Sequence, residues 1–411
     1  MRKKMILMWS LCAAMTFSAC TENEEAPVVK GVDFAIQLKF DGANKTRAEV
    51  TKTNAIPVTS WDIIEKVQFF LYGTTGADAG VVKFSSVETP GSGADVSGSK
   101  KYTYTSVPEG TYTLVAIAST TKGKMENVTS YVGTSAADWT KFNVLDKNIS
   151  SLSMTHKATT FPSFLSSEYT GATDVKAFSE PAEIFMGSTT VQVQGNTANI
   201  ATVTLKREVS LMRVRLNIGG NSDVNFAANN AILIRHLPKE MKIADGNDGG
   251  VSAISVTRNV QIATGLNTAN PAVNTGYGSD ATKLSILNTA EGFTMWKDII
   301  VFPNSTRAVE AVAATAGGNA DGLRRYLIAV SGKAQAGHIL ADGTPLDADG
   351  TVYWYGIVPE KFLPNQIREV NITLNTGGYT ELPVNEFGDL DITVSTPMNW
   401  DNNIVTSTVN M

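Results

Sequence analysis

Three histidines are the residues of this chain best suited to acid–base or metal chemistry, and their spacing argues against both. His156, His236 and His338 lie far apart, and no His-Glu-x-x-His pattern or similar metal-ligand spacing occurs. No Gly-x-Ser-x-Gly elbow of a serine hydrolase is present either. We therefore expect no metal site, no cofactor and no enzymatic activity.

Two acidic loops and one glycine-rich loop are the remaining candidates for ligand chemistry. Residues 245–250 and 347–350 are similar to calcium loops, but neither is followed at the right distance by the glutamate of an EF-hand. Residues 91–98 lack the Gly-Lys-Ser/Thr ending of a phosphate-binding loop. We interpret all three as turns or flexible connections, with calcium binding at the acidic loops as the alternative.

The first twenty residues have the layout of an export signal that ends at a lipidation site. A basic start, Met-Arg-Lys-Lys, precedes a short apolar run over residues 6–17 that is too short to span a bilayer. The run ends in Phe-Ser-Ala-Cys, which resembles a bacterial lipobox, so we expect residues 1–19 to be a signal peptide and Cys20 to carry acyl chains. A plain secretory signal with a chance cysteine is the alternative.

A basic site follows in a polar segment. Residues 41–49 read Asp-Gly-Ala-Asn-Lys-Thr-Arg-Ala-Glu, a turn followed by a bond that a protease can reach. We expect cleavage between Arg47 and Ala48, which separates a lipidated propeptide, residues 20–47, from the rest of the chain.

Between these two sites the sequence predicts one half-buried β-strand. Every second residue is apolar, and polar or small residues occupy the positions between. The apolar positions are Val32, Phe34, Ile36, Leu38 and Phe40, and the others are Asp33, Ala35, Gln37 and Lys39. Cleavage at Arg47 would remove this strand from a core and leave an open groove.

Composition limits the remaining possibilities. The only cysteines are Cys12, inside the signal, and Cys20, so the folded part has no disulfide and no cysteine-ligated metal. A net charge of -5 without a basic cluster gives no footprint for nucleic acid. The 411 residues, 43% of them hydrophobic, suggest two domains with real cores.

The rest of the chain predicts a mostly β protein, because short Val, Ile, Thr, Tyr and Phe runs recur between turn residues and helical periodicity is almost absent. Strands are predicted at residues 66–72, 81–87, 101–107, 111–118, 201–216, 231–234, 251–256, 299–302, 325–330, 352–356 and 367–374. Apolar parity breaks between Leu211 and Met212, which predicts a bulge or a change of sheet. A polar stretch near residues 170–185 predicts domains over 48–184 and 185–388, although residues 203–216 fit either side.

A terminal strand and tail, residues 389–411, complete the chain. Apolar residues alternate at Leu390, Ile392 and Val394 and are then spread through a polar segment. The later ones are Trp400, Ile404, Val405, Val409 and Met411. A last strand or a frayed end is one interpretation. The other is a donor strand that completes the sheet of a second molecule.

Several of these segments follow one another in an order and spacing typical of one protein family. They are the lipobox Cys20, the Thr-Arg-Ala site at Arg47 after an alternating strand, Gly-Thr-Tyr-Thr-Leu-Val-Ala-Ile-Ala at 110–118, Leu-Lys-Arg-Glu-Val at 205–209, and Pro-Asn-Gln-Ile-Arg-Glu-Val-Asn-Ile-Thr at 364–373 followed by Gly377. Together they resemble the bacterial fimbrillins, or type V pilins, over nearly the whole chain. Arg368 and Ser210 depart from that family, which often has Tyr and Ala there.

This resemblance implies two transthyretin-like β-sandwich domains in tandem, with a removable propeptide strand and a C-terminal donor tail. It implies export as an outer-membrane lipoprotein, trimming by an arginine-specific protease, and incorporation into an extracellular fimbria with an adhesive or colonising role. The partners implied are other fimbrial subunits, copies of this chain or accessory ones, and the contact does not close on itself.

Four roles remain open at this level. A shaft subunit needs both the removable strand and the donor tail, and it is the first choice because this chain has both features. A tip or accessory subunit can lack a donor, and an anchor keeps its lipid. A surface lipoprotein that binds glycans through exposed aromatic residues, as at 353–355 or Trp296, is the fourth role.

Overall fold

A computed structural model describes residues 31–41, 61, 64–91, 98–120, 128–131, 144–156, 175–177, 183–195, 197–226, 232–238, 240–243, 257–263, 295–303, 327–358, 362–381, 391–394 and 398–399. These residues form a mostly β structure, as predicted. The strands are β1 Val32–Phe40, β2 Ile64–Gly73, β3 Val82–Glu88, β4 Lys100–Val107, β5 Gly110–Thr120, β6 Val128–Tyr131, β7 Ser153–His156, β8 Val175–Ala177, β9 Ile184–Val193, β10 Asn199–Arg207, β11 Ser210–Asn217, β12 Val224–Asn225, β13 Ile232–Pro238, β14 Glu240–Lys242, β15 Thr257–Ala263, β16 Met295–Val301, β17 Leu327–Ala334, β18 Gly350–Ile357, β19 Gln366–Thr373, β20 Asp391–Val394 and β21 Met398–Asn399.

The first half of the chain builds a sandwich of two layers that share β10. One layer has the order β3-β2-β5-β9, and the other has the order β10-β1-β4. The last two residues of β10 pair with β9, whereas the residues before them pair with β1. Because β10 passes from one layer to the other, the two layers enclose a single core to which β1, β2, β5, β9 and β10 all contribute.

The outer face of the β2-β5-β9 layer is also buried. Phe70, Ile117 and Met186 on that face pack with residues of the second half of the chain, including Leu211 and Phe302. We call this cluster the junction core. It joins the first sandwich to the strands that follow.

The second half builds another two-layer arrangement. One layer has the order β16-β11-β19, with β20 and β21 both on the free side of β19. The other has β17 between β18 on one side and β12 and β13 on the other, continued by β15 and β8. Their shared core contains Trp354, Phe226 and Phe362 among its fully buried side chains. A separate small sheet has the order β14-β7-β6.

The boundary between the two sandwiches lies later than the sequence suggested. The expected boundary at residues 184 and 185 assigns β9 and β10 to the second half, but β9 pairs with β5 along its whole length and β10 pairs with β1. The chain passes from the first sandwich to the second between Arg207 and Ser210. The position of this boundary depends on which distant strands pair with each other, and local composition gives no information on such pairing.

The parity break at Leu211 and Met212 has a cause other than a bulge. β11 pairs with β16 in unbroken register from Ser210 to Leu216. Leu211 packs in the junction core, while Met212 and Val214 pack in the core of the second sandwich. Both faces of the strand are buried, so the apolar residues no longer alternate. Of the two predicted alternatives the bulge is wrong, and a change of sheet does occur, slightly earlier, between Arg207 and Ser210.

Most predicted strands correspond to observed ones. Those expected at residues 66–72, 81–87, 101–107 and 111–118 match β2, β3, β4 and β5. Those at 231–234, 299–302, 325–330, 352–356 and 367–374 overlap β13, β16, β17, β18 and β19. The single strand expected over 201–216 is divided into β10 and β11. The strand expected at 251–256 lies outside the described residues.

Candidate functional site

The strand β1 lies in the middle of its layer, with both backbone edges paired. It runs parallel to β10, from the pair Phe34 and Asn199 to the pair Phe40 and Leu205. On its other edge it runs antiparallel to β4, down to the pair Leu38 and Lys100. The predicted strand at residues 32–40 is therefore confirmed, with the same bounds.

The inward side chains of β1 lie in the core of the first sandwich. Phe34, Ile36, Leu38 and Phe40 have exposed fractions of 2%, 0%, 0% and 5%, while Val32 at the start is half-buried. Each fully buried side chain of this size contributes roughly 1.5–3 kcal/mol relative to exposure in water. The strand is thus an integral part of the core.

The opposite face of β1 is polar and mostly exposed to solvent. Asp33 and Lys39 are exposed and Gln37 is half-buried, as the alternation predicts. Ala35 is the exception, because it is buried at 8% exposure. A strand that took the place of β1 would need a small residue at that position.

Close backbone contacts fix the beginning of β1. A Cβ atom on Gly31 would lie 2.1 Å from the Cα of Ser106 in β4, so only glycine fits there. The side-chain nitrogen of Asn199 donates hydrogen bonds to the carbonyl oxygens of Asp33 and Gln194, at 3.1 and 2.9 Å. The Asn199 side chain therefore links the start of β1 to the loop between β9 and β10.

Aromatic rings close the other end of the groove. The ring of Phe40 lies 4.6 Å from that of Trp61 and 5.1 Å from that of Phe185, measured between centroids. The indole nitrogen of Trp61 donates to the carbonyl oxygen of Gly98 at 3.0 Å. The backbone N–H of Asp41 donates to the carbonyl oxygen of Leu205 at 2.9 Å, which extends the pairing one residue past the strand.

A buried ion pair lies behind this aromatic end. The guanidinium of Arg207 contacts the carboxylate of Glu183, and its carbon lies 4.5 Å above the ring of Phe185. Both charged groups are almost completely buried. The sequence carried a signal of this pair, a charged Lys-Arg-Glu run between apolar strand residues, but gave no indication of the partner.

Of the two strands that flank β1, β4 depends on the pairing with β1 more than β10 does. Among the described strands, β4 pairs with β1 alone. Its Tyr104 reaches across the open side of the sandwich, where the hydroxyl donates to the carboxylate of Glu88 in β3 at 3.0 Å. The rings of Phe84 and Tyr104 are 5.0 Å apart, centroid to centroid. Burial raises the pKa of Tyr104, so its hydroxyl stays a hydrogen-bond donor at neutral and alkaline pH.

The remaining predicted site residues lie outside the described part of the chain. These are Cys20, Arg47 and Ala48, and the tail residues Trp400, Ile404, Val405, Val409 and Met411. Ile392 and Val394, by contrast, lie in β20, which pairs with β19. They pack against the core of the second sandwich.

The residues considered for other chemistry occupy structural positions. The imidazole of His338 bridges two segments, with Nδ1 2.7 Å from a carboxylate oxygen of Asp223 and Nε2 2.8 Å from the carbonyl oxygen of Gly377. His156 and His236 lie in β7 and β13, in different sheets. Within the described ranges, no three His, Cys, Asp or Glu side chains group as a metal site would require.

The aromatic run considered for glycan binding does not form an exposed platform. Tyr353, Trp354 and Tyr355 are exposed by 6%, 0% and 8%. The indole nitrogen of Trp354 donates to the carbonyl oxygen of Thr376 at 2.8 Å. This overturns the idea of a binding surface at 353–355, because the rings are used in packing. Of Trp296, only the backbone in β16 is described.

A comparison with known families decides the identity of the chain. The model of a family described as fimbrillin-A associated anchor proteins Mfa1 and Mfa2 matches residues 32–236. The chain belongs to the fimbrillin family. The match in this fimbrillin begins at the first residue of β1 and extends through the whole first sandwich into β13. Family membership implies a fimbrial or adhesion-type protein located at the cell surface.

Solved structures to which the chain is similar come from Bacteroides and Parabacteroides species. A candidate cell adhesion protein of Bacteroides eggerthii is 12% identical, with 90% of this fimbrillin and 96% of that chain covered and a TM-score of 0.48. A candidate polysaccharide-binding protein of Bacteroides thetaiotaomicron is 12% identical, with 84% and 94% covered and a TM-score of 0.44. A fimbrial assembly protein of Parabacteroides distasonis is 9% identical, with 84% and 92% covered and a TM-score of 0.36.

No curated protein matches the sequence of this fimbrillin. Among the residues that the structure describes, no helix has the length and apolar character needed to cross a membrane.

Proposed function

We propose that this protein is a structural subunit of a fimbrial shaft, and that cleavage after Arg47 allows a neighbour's strand to replace β1. One observation carries the proposal. β1 is a core strand paired on both edges, yet it precedes every other described strand, so a single cut after Arg47 separates it covalently from all of them. Every later strand lies on the other side of that cut.

The position of β1 makes it suited to act as a placeholder. Before cleavage the strand is part of the same chain as its groove, so its effective concentration is very high and an external strand competes poorly. After cleavage β1 is held only by non-covalent contacts. A strand supplied by another subunit can then compete on equal terms, and proteolysis becomes the switch for assembly.

Strand exchange of this type gives a fibre for reasons of symmetry. The groove of one subunit and the donor segment of the next are different surfaces, so the contact is heterologous and does not close. Residues 400–411, with Trp400, Ile404, Val405, Val409 and Met411, are the proposed donor of this chain to its own neighbour. Export as a lipoprotein acylated at Cys20 would bring the precursor to the outer membrane before an arginine-specific protease trims it.

An anchor subunit is the second candidate, and the description of the matching family favours it, because that description names anchor proteins. An anchor would keep the lipid on Cys20 and therefore keep β1 attached to the membrane. The two roles differ in one measurable property, the N-terminus of the mature protein.

Arg47→Ala is the experiment that tests the proposal, with Lys45→Ala as the matched control because it removes a neighbouring positive charge and leaves the Arg47 bond intact. Mass spectrometry of the surface protein should find an N-terminus at Ala48 in the native and Lys45→Ala proteins, and acylated Cys20 in Arg47→Ala. The Arg47→Ala protein should form no fimbriae by electron microscopy. Normal fimbriae from it would disprove the switch, and acylated Cys20 in the native mature protein would establish the anchor role.

A further inference from the structure

The side chains of β1 define which strand its groove accepts. Four inward positions, those of Phe34, Ile36, Leu38 and Phe40, are at most 5% exposed. The two in the centre have no exposure, and across the β10 edge Ile36 faces a small residue, Ala201. A smaller side chain in place of Ile36 would leave a cavity there, because a close-packed core relaxes only partly around a lost group.

The groove also restricts where a bound strand can carry polar side chains and in which direction it can run. Its core is lined by hydrophobic side chains, so a hydroxyl or amide placed at any of the four positions would lose its water shell at a cost in free energy. The strand must also run parallel to β10 and antiparallel to β4 to pair with both edges. The groove therefore selects a nine-residue extended segment with large apolar residues at four alternating positions.

The chain's own residues 400–411 do not meet this requirement in any register. The best nine-residue window, residues 403–411, places Val405, Ser407, Val409 and Met411 at the four positions, with Ser407 in the place of Ile36. Each of the other windows places at least two Asn, Ser or Thr residues there. Residues Asp391–Val394 are already paired with β19.

We infer that the groove of β1 is built for a strand from a different polypeptide, one with large aliphatic or aromatic residues at four alternating positions, and that it discriminates against residues 400–411 of this chain. The inference rests on the proposed function, since it concerns the groove that cleavage would open. It makes this subunit one component of a mixed filament, in which its acceptor groove and its tail have different partners.

A competition experiment with synthetic peptides tests this specificity. The full protein is cut at Arg47, and uptake of a fluorescein-labelled Val32–Phe40 peptide is followed by anisotropy after long incubation. Three unlabelled competitors are compared: the same β1 peptide, the 403–411 peptide, and a 403–411 peptide carrying V405F, T406A, S407I, V409L and M411F. A β1 peptide with Ile36→Ser tests the central position alone.

The expected order of competition follows from burial. The β1 peptide should compete best, and the 403–411 peptide should be at least about a hundredfold weaker, since each missing buried group costs about tenfold or more. The substituted 403–411 peptide should regain most of this loss, and Ile36→Ser should weaken the β1 peptide by about tenfold or more.

Two results would overturn the inference in different ways. If the 403–411 peptide competes within about tenfold of the β1 peptide, the groove accepts the chain's own tail; the removable strand of the proposed function would stand. If the labelled β1 peptide itself is not taken up by the cut protein, the groove does not exchange strands. The proposed function then fails together with the inference.

Discussion

Each residue of β1 has a role set by the side of the strand on which it lies. Ile36 is completely buried at the centre of the strand, and its neighbour Gln37 is half-buried on the polar face. The two residues share the same backbone pairing with β4 and β10. Their side chains therefore separate the contribution of the core from that of the strand's hydrogen bonds.

Truncation of Ile36 should destabilise the uncut protein far more than truncation of Gln37. Ile36→Ala should lower the free energy of unfolding by about 2–5 kcal/mol, because it removes a buried side chain and leaves a cavity. Gln37→Ala should change it by less than about 0.5 kcal/mol, as is usual for surface substitutions. Urea unfolding measures both. Equal effects would mean that the inward face of β1 is not packed as described.

At the scale of elements, the main question is whether β4 keeps its position after cleavage. β4 has β1 as its only strand partner among the described elements, so loss of β1 removes all of its strand pairing. The contacts that remain include those of Tyr104 with Glu88 and Phe84 of β3 and of the Tyr102 ring with Phe69 of β2. We expect these contacts to keep β4 in place so that the groove stays open for a new strand.

Tyr104→Phe should affect two separate properties, the stability of the uncut protein and the rate at which its groove takes up a strand after cleavage. The variant should lose about 0.5–1.5 kcal/mol of stability before cleavage, the usual contribution of one hydrogen bond. After cleavage it should take up the β1 peptide more slowly, because β4 is less firmly held.

Ser210→Ala is the matched control for this effect. The Ser210 hydroxyl donates to the carbonyl oxygen of Leu363 at 2.6 Å, in the second sandwich and outside the sheet that contains β1. It should lose similar stability yet take up the peptide at the native rate. Stopped-flow fluorescence compares the two, and equal rates would show that Tyr104 does not position β4.

The local pattern of apolar and polar residues is enough to predict most strands. It fails where the outcome depends on strands that are far apart in the sequence. The alternation of residues 32–40 gave β1 with the correct bounds, because one face of the strand is buried and the other is wet. Its partner β10 lies more than a hundred and fifty residues away, and the Asn199 contact to Asp33 spans 166 positions. No local signal reports such a pairing, so local composition puts the seam before β9 and gives no indication that Arg207 pairs with Glu183.

At the scale of the whole molecule, the three clusters of buried residues found in the described part of the chain respond differently to the loss of β1. Only the core of the first sandwich contains side chains of this strand. The junction core and the core of the second sandwich contain none. Departure of β1 would therefore open one side of one sandwich while the rest of the molecule keeps its packing, which is what an assembling subunit requires.

The most direct test of the central claim is to lock β1 in its groove with a disulfide. Gln37 of β1 lies opposite Lys101 of β4, and protein purified without residues 1–20 has no cysteine of its own. Gln37→Cys with Lys101→Cys should cross-link the two strands on the polar face. We predict that the oxidised protein, once cut at Arg47, stays monomeric and takes up no β1 peptide, and that the reduced protein with the same cut takes it up. Equal uptake by the oxidised and reduced forms would contradict the claim that β1 must leave for another strand to bind.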